Sequence, residues 1–204
     1  MNNLELEYRF YDYYKPTIIE ILIKNGAIKI HDPIIMELTV FNAPTYLRVR
    51  KEYNKVLLTS KSYKGKFAVE NETEVADYND TIKSMLKSGY SIKYDYMKIR
   101  EKYCYKNTEI VFDMYPGLPE YMEIESKTLL ELNEVCSLLN LDPTKHSWKY
   151  MNEWFNEIYG ILKAPKNLTF GNLEKTLKPI IKKNHEFFDN INKYQKYFLK
   201  SSTG

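Results

Sequence analysis

Leu4-Glu5-Leu6-Glu7-Tyr8-Arg9-Phe10 alternates apolar and charged residues without a break. In an extended strand, residues i, i+2 and i+4 share a face. Leu4, Leu6, Tyr8 and Phe10 therefore lie on one side, and Glu5, Glu7 and Arg9 on the other. The habit recurs down the chain. Residues 45–50 pair Arg48 with Arg50, and residues 67–75 line up Glu70, Glu72 and Glu74. Residues 96–100 pair Lys98 with Arg100, and residues 120–125 pair Glu123 with Glu125. Residues 56–61 end in Lys61, and residues 109–114 carry Asp113 just before the turn Tyr115-Pro116-Gly117. Residues 34–41 form a further β-branched run. The sum is about eight strands, enough to close a small barrel.

Helical periodicity separates these strands. Residues 14–25 carry a stripe of Ile18, Ile19, Leu22 and Ile23, with Gly26 as a C-cap. Residues 77–87 and 127–139 give two more helices. After residue 125 no strand signal remains. Residues 147–162 and 173–199 predict helices, with Pro179 kinking the second or starting it afresh. The expected division is a tunnel-like barrel over 1–162 and a helical extension over 163–204, packed on the barrel. The fold class is α+β: an eight-stranded antiparallel β-barrel with surrounding helices.

The 204 residues carry a net charge of only +3, so acids and bases nearly balance and a nucleic-acid stripe is not indicated. Cys104 and Cys136 have no metal or disulfide spacing, and the first residues carry no secretory signal. No run approaches the ~18 apolar residues of a membrane span. These features lead to the expectation of a cytoplasmic protein with reduced thiols and no membrane partner.

A charged strand face ordinarily lies in solvent. Here five strands carry two or three charges of one dominant sign each. Like charges two residues apart repel when buried, so stability alone does not favour them. A wet, polar barrel lumen accounts for the pattern, with the apolar outer faces covered by helices. Paired carboxylates are hard oxygen ligands for Mg²⁺ or Mn²⁺. Arg and Lys facing them hold phosphate oxygens, Arg by forked donors and Lys as a point charge. Both signs in one tunnel suit a metal–polyphosphate ligand.

In this order the motifs resemble those of the CYTH superfamily, the triphosphate tunnel metalloenzymes. Glu5-Leu6-Glu7-Tyr8-Arg9 is similar to the family's ExExK strand, with Arg9 in place of Lys. Leu47-Arg48-Val49-Arg50 resembles the LRxR strand, and Thr59-Ser60-Lys61 the TxK end. Glu70 to Glu74 resembles the Glu-rich strand, Lys98-Ile99-Arg100 the KxR strand, and Asp113, Gly117 and Glu123-Ile124-Glu125 the D…G…ExE element. The resemblance covers residues 4 to about 150. Residues 28–44 depart from it, lacking the acidic-aromatic strand of the family.

The resemblance implies an eight-stranded tunnel and Mg²⁺- or Mn²⁺-dependent chemistry on a triphosphate. It implies Glu5, Glu7, Glu123 and Glu125 as metal-side acids, helped by Asp113 and by Glu72 or Glu74. Arg9, Arg48, Arg50, Lys61, Lys98 and Arg100 form the phosphate side. Glu5, Glu7, Arg9 and Lys61 are the expected catalytic set. Hydrolysis is the expected reaction, on inorganic triphosphate, a nucleoside triphosphate, thiamine triphosphate or an RNA 5′ triphosphate end, the last not favoured. Adenylate cyclisation of the class IV type, making cyclic AMP from ATP, is the alternative, and no adenine pocket is legible. A non-catalytic nucleotide or polyphosphate binder is a third reading, against which the lumenal glutamates argue. A homodimer stays open. His31, His146 and His185 are scattered and are assigned no catalysis. Trp148 and Trp154 read as packing residues on the helix expected over 147–162.

Overall fold

Every charged alternating run is a strand. The computed structural model describes residues 4–64 and 67–201, apart from the side chains of residues 4, 5, 63, 64, 67, 68 and 201. The strands are β1 (Leu4–Phe10), β2 (Ile28–Asn42), β3 (Tyr46–Glu52), β4 (Lys55–Lys64), β5 (Phe67–Glu74), β6 (Ser91–Tyr105), β7 (Thr108–Met114), β8 (Glu120–Ser126) and β9 (Asn167–Leu168). The hydrogen-bonded order is β2-β3-β4-β5-β1-β8-β7-β6, and β6 pairs back onto β2 to close the ring. All these neighbours are antiparallel.

Register puts the charges inside. Residues directly opposite on paired strands share a face. Arg9 is opposite Glu123, Glu7 opposite Glu125, Lys61 opposite Glu70, Thr59 opposite Glu72, and Arg100 opposite Asp113. The opposite faces are apolar and covered. The helices α1 (Lys15–Lys24) and α3 (Leu129–Leu138) bury Phe10, Ile110, Phe112, Met122 and Ile124 against Ile18, Leu22, Leu132 and Val135. A third helix, α2 (Tyr78–Lys87), covers Phe41 and Val49.

The long pair β2–β6 departs from the sequence expectation. Each strand has 15 residues, against the shorter runs at 34–41 and 96–100. Asp32-Pro33 sits in a register shift between His31 and Ile34, where the missing Pro N–H is tolerated. Beyond Arg50 and Arg48, the inner face of β2 turns apolar. Met36, Leu38 and Val40 lie opposite Lys98, Arg50 and Arg48 and join the core that the C-terminal part completes.

That C-terminal part differs from expectation in two places and, at Pro179, breaks where expected. Residues 146–150 form no helix or strand, and α4 runs only from Met151 to Tyr159. A two-residue strand, β9, adds in parallel to β6 at Asp95 and Tyr96, where β7 has ended. Two residues show no alternation, so no sequence signal exists for it. The helix expected over 173–199 is split into α5 (Leu173–Leu177), a 3₁₀ turn at Lys178–Ile180 and α6 (His185–Ser201). Pro179 lies in that turn, where an α-helix would lose a donor and clash.

These helices share one core with the barrel. Leu118, Tyr121, Trp154, Phe155, Tyr159, Leu173, Leu177 and Phe188 are buried together with Met36, Leu38 and Val40. The turn at Gly117 is the docking point. Gln195 of α6 accepts from Gly117 N at 2.9 Å and donates to Tyr115 O at 2.9 Å, and the Tyr159 hydroxyl donates to Gly117 O. Gly117 has φ +74°, and a Cβ there would lie 2.9 Å from the Leu177 side chain. Only glycine satisfies both conditions.

Candidate functional site

The inward side chains line a cavity of about 680 Å³, within the size range of small-ligand sites. Its lining brings together Glu7, Arg9, Arg48, Arg50, Lys61, Glu72, Lys98, Arg100, Glu123 and Glu125. Three expected residues stand apart. Glu74 is exposed and does not line the cavity. Asp113 is fully buried behind the basic wall. Glu5 sits on β1 by its backbone, opposite Ala68, and its side chain is outside the described residues.

The basic wall is held by carboxylates. Arg100 donates to Asp113 through Nε at 2.8 Å and Nη2 at 2.7 Å, and Lys98 Nζ donates to the same carboxylate. Against full burial, Arg100 and Lys98 hold the Asp113 carboxyl far below the ordinary carboxylate range. Lys98 is the weaker partner. Burial and the neighbouring Arg100 push its ammonium down to about 8, outweighing the pull of Asp113. Arg48 Nη2 pairs with Glu70 at 3.2 Å, Lys61 with Glu70 at 2.6 Å, and Arg50 Nη2 with Glu72 at 2.9 Å.

The acid side is crowded. Burial and the nearby Glu123 raise the Glu7 carboxyl well above its ordinary value, with Glu125 adding to the effect. Glu123 is also buried, but Arg9 holds it below its ordinary value. Arg9 donates to both Glu7, at 2.9 Å, and Glu123.

Two observations bear on what the cavity accepts. The Nε atoms of Arg9, Arg48 and Arg50 are buried with no hydrogen-bond partner among the described residues. Three orphaned guanidinium donors in one cavity fit an anion with several oxygens, since an unmade buried hydrogen bond costs about 1–3 kcal/mol. Glu7, Glu123 and Glu125 are hard oxygen donors whose mutual repulsion a divalent cation would relieve. Among the described residues no three acids, histidines or cysteines stand in a ligating cluster, and Glu123 is paired with Arg9. Hard carboxylate oxygens are the donor type that Mg²⁺ or Mn²⁺ takes.

Several lining residues were not picked from sequence. Glu52 continues the alternation two residues beyond Arg50, and Lys102 continues that of Lys98 and Arg100, so both were legible. Glu52 lies 3.6 Å from Arg50, 3.7 Å from Arg100 and 3.7 Å from His31 Nε2. Despite burial, His31, Arg100 and Arg50 hold its carboxyl far below the ordinary range. His31, assigned no role from sequence, is buried against the cavity with Nδ1 2.9 Å from Asp32 O. Trp148 is not on a helix. It lies in the irregular segment before α4, half-exposed, with its ring 3.9 Å from the Arg9 guanidinium carbon. No sequence signal carries that contact.

No protein-family model matches the chain, and no curated protein matches its sequence. Solved structures do match. The PH1012 protein of Pyrococcus horikoshii OT3 superposes with a TM-score of 0.62 at 23% identity, over 72% of this chain and 96% of that one. A conserved hypothetical protein of Pyrococcus furiosus gives 0.60 at 21%, over 74% and 99%. A Vibrio parahaemolyticus protein described as a "putative adenylate cyclase" gives 0.65 at 15%, over 76% and 99%. No described helix is long and apolar enough to cross a membrane. The closed antiparallel ring of eight strands, charged within and helix-covered without, is matched over about three quarters of this chain by these structures, so the chain shares their fold.

Proposed function

We propose that the chain is a divalent-metal-dependent triphosphatase acting on a small triphosphate in the tunnel. One observation carries this reading. Three orphaned arginine Nε donors share a single cavity with the crowded carboxylates of Glu7, Glu123 and Glu125. A pure anion receptor gains nothing from those glutamates.

Glu7, Glu123 and Glu125 would hold the cation, with Glu5 on the same face of β1. When bound, Mg²⁺ or Mn²⁺ supplies charge neutralisation on the phosphoryl oxygens and a more acidic water. Arg48, Arg50 and Lys61 would grip phosphate oxygens from β3 and β4, and Lys98 and Arg100 from β6. Asp113 serves this wall from behind by fixing Arg100 and Lys98. Phosphoryl transfer needs little beyond such positioning and charge stabilisation. Tyr121 and Trp154 line the cavity and belong to the apolar core built with the C-terminal helices. A compact ligand suits a cavity bounded in this way better than a long chain such as an RNA end.

A second reading, adenylate cyclisation, draws on the description of the Vibrio parahaemolyticus neighbour. It also draws on the exposed rings of Trp148, Tyr150 and Tyr53 on the cavity lining, where a base could stack. Product analysis separates the two. The protein is incubated with Mg²⁺ or Mn²⁺ and inorganic triphosphate, ATP, thiamine triphosphate or 5′-triphosphorylated RNA, with Glu5→Ala/Glu7→Ala as control. Phosphate release lost in the control supports the triphosphatase. Cyclic AMP and pyrophosphate from ATP support the cyclase, and tight binding without turnover overturns both.

A further inference from the structure

Residues 146–149 run along the edge of β1 as a strap. Ser147 N donates to Arg9 O at 2.9 Å, and His146 stacks on Tyr8 with ring centres 4.3 Å apart. The far end is pinned where Tyr150 N donates to Glu153 Oε2 at 2.9 Å, at the start of α4. The strap thereby delivers the Trp148 ring onto Arg9. The Arg9 guanidinium lies over two aromatic rings, Trp148 at 3.9 Å and Tyr121 at 4.7 Å. Tyr121 is itself buried and held edge-on by Trp154.

From this geometry we propose that Trp148 is a positioning residue for Arg9, keeping the guanidinium flat in the tunnel while it exchanges Glu123 for a phosphate oxygen. The inference rests on the triphosphate reading of the cavity. Arg9 now occupies Glu7 and Glu123, two of the carboxylates a cation needs, while its Nε is buried without a partner. A planar cation on aromatic faces can turn within its plane and keep both contacts, because the attraction comes from the ring quadrupole and is not directional in that plane. Moving Arg9 onto a phosphate satisfies its donors and releases Glu123 in one step. Cation and triphosphate should therefore bind cooperatively through Arg9. A lysine at position 9 presents a compact, strongly hydrated ammonium that cannot stack as a plane and makes a weaker contact with the ring, so Trp148 should matter less there than with Arg.

The test is a double-mutant cycle read by binding, with no turnover required. Tripolyphosphate is titrated by calorimetry, with Mg²⁺ present, into the full chain and into Trp148→Ala, Trp148→Phe, Arg9→Lys and Arg9→Lys/Trp148→Ala. We expect Trp148→Ala to weaken binding roughly tenfold. Trp148→Phe should restore most of that loss, and Trp148→Ala should cost less than about threefold in the Arg9→Lys background. A second readout is Mg²⁺ affinity without the anion, which Arg9→Met should raise by freeing Glu123. An equal loss from Trp148→Ala in both backgrounds, or no change in Mg²⁺ affinity in Arg9→Met, overturns this inference and leaves the triphosphate reading standing. Failure of the unmutated chain to bind tripolyphosphate overturns both.

Discussion

Arg100 and Asp113 face each other across β6 and β7 as a forked pair, Nε on Oδ1 and Nη2 on Oδ2, with no solvent exposure at the carboxylate. Asp113 does not line the cavity, so its work is to hold two cations that do. Removing it leaves Arg100 and Lys98 buried without their counter-charge. Asp113→Ala should destabilise the fold by about 3–5 kcal/mol in urea denaturation. Glu74→Ala, at an exposed position, should stay within about 0.5 kcal/mol.

The same depressed carboxyls govern acid stability. Asp113 and Glu52 have folded pKa values below their unfolded ones. Below the unfolded carboxylate value of about 4, the unfolded chain binds more protons than the native one. Their contribution is complete above about pH 4 and disappears as pH falls further. Urea midpoints measured from pH 7 to pH 3 should drop below about pH 4, after any gain from protonating Glu7 at higher pH. In Glu52→Gln the drop should be shallower.

Lys98 gives a signal at alkaline pH. Its ammonium titrates near 8 in the folded chain, against about 10.4 unfolded. Charged and buried below pH 8, it costs stability, and that cost is relieved as pH rises through 8 toward 10.4. Anion binding has the opposite sign, because a phosphate favours the charged form. Affinity for tripolyphosphate should fall about tenfold per pH unit above about pH 8. In Lys98→Met the slope should flatten, as calorimetry between pH 7 and 9.5 would record.

Glu7 separates stability from function. Its carboxyl is raised by burial and by Glu123, so ionising it at neutral pH costs native-state stability. Glu7→Gln should stabilise the metal-free protein by removing that cost. The same change should cut metal-dependent phosphate release by at least about a hundredfold. Thermal melts and phosphate release on one preparation would check both.

The C-terminal helices are predicted to melt with the barrel. Gln195 is buried and satisfies Gly117 N and Tyr115 O together. Gln195→Ala should cost about 1–3 kcal/mol by leaving those backbone groups unpaired. Gly117→Ala should cost more, through strained backbone and contact with Leu177. A single transition in circular dichroism and tryptophan fluorescence would show one cooperative unit.

The strands and their inward faces were legible because alternation is a local property. Two neighbours on one strand declare a face, as Arg48 and Arg50 do. Glu52 and Lys102 were legible by the same rule, had the alternation been followed to the strand ends. The β2–β6 pair outran its sequence signal because Pro33 interrupts the alternation of β2, and the register shift that accommodates it exists only against the partner strand. Trp148 was misplaced because residues 147–150 are polar and aromatic enough to pass for the start of a helix. Ser147 N instead bonds to Arg9 O on β1, a partner far away in sequence.

By itself, then, the chain determined which residues turn toward a common interior and which signs of charge meet there, since a period of two fixes faces without reference to any neighbour. Only the tertiary structure decided which acid serves which base. Asp113 lies behind the wall and not in the cavity, Arg9 sits on Glu123 under Trp148, and the C-terminal helices grip Gly117. Those pairings depend on barrel closure and on distances between strands remote in sequence, and no local pattern encodes them.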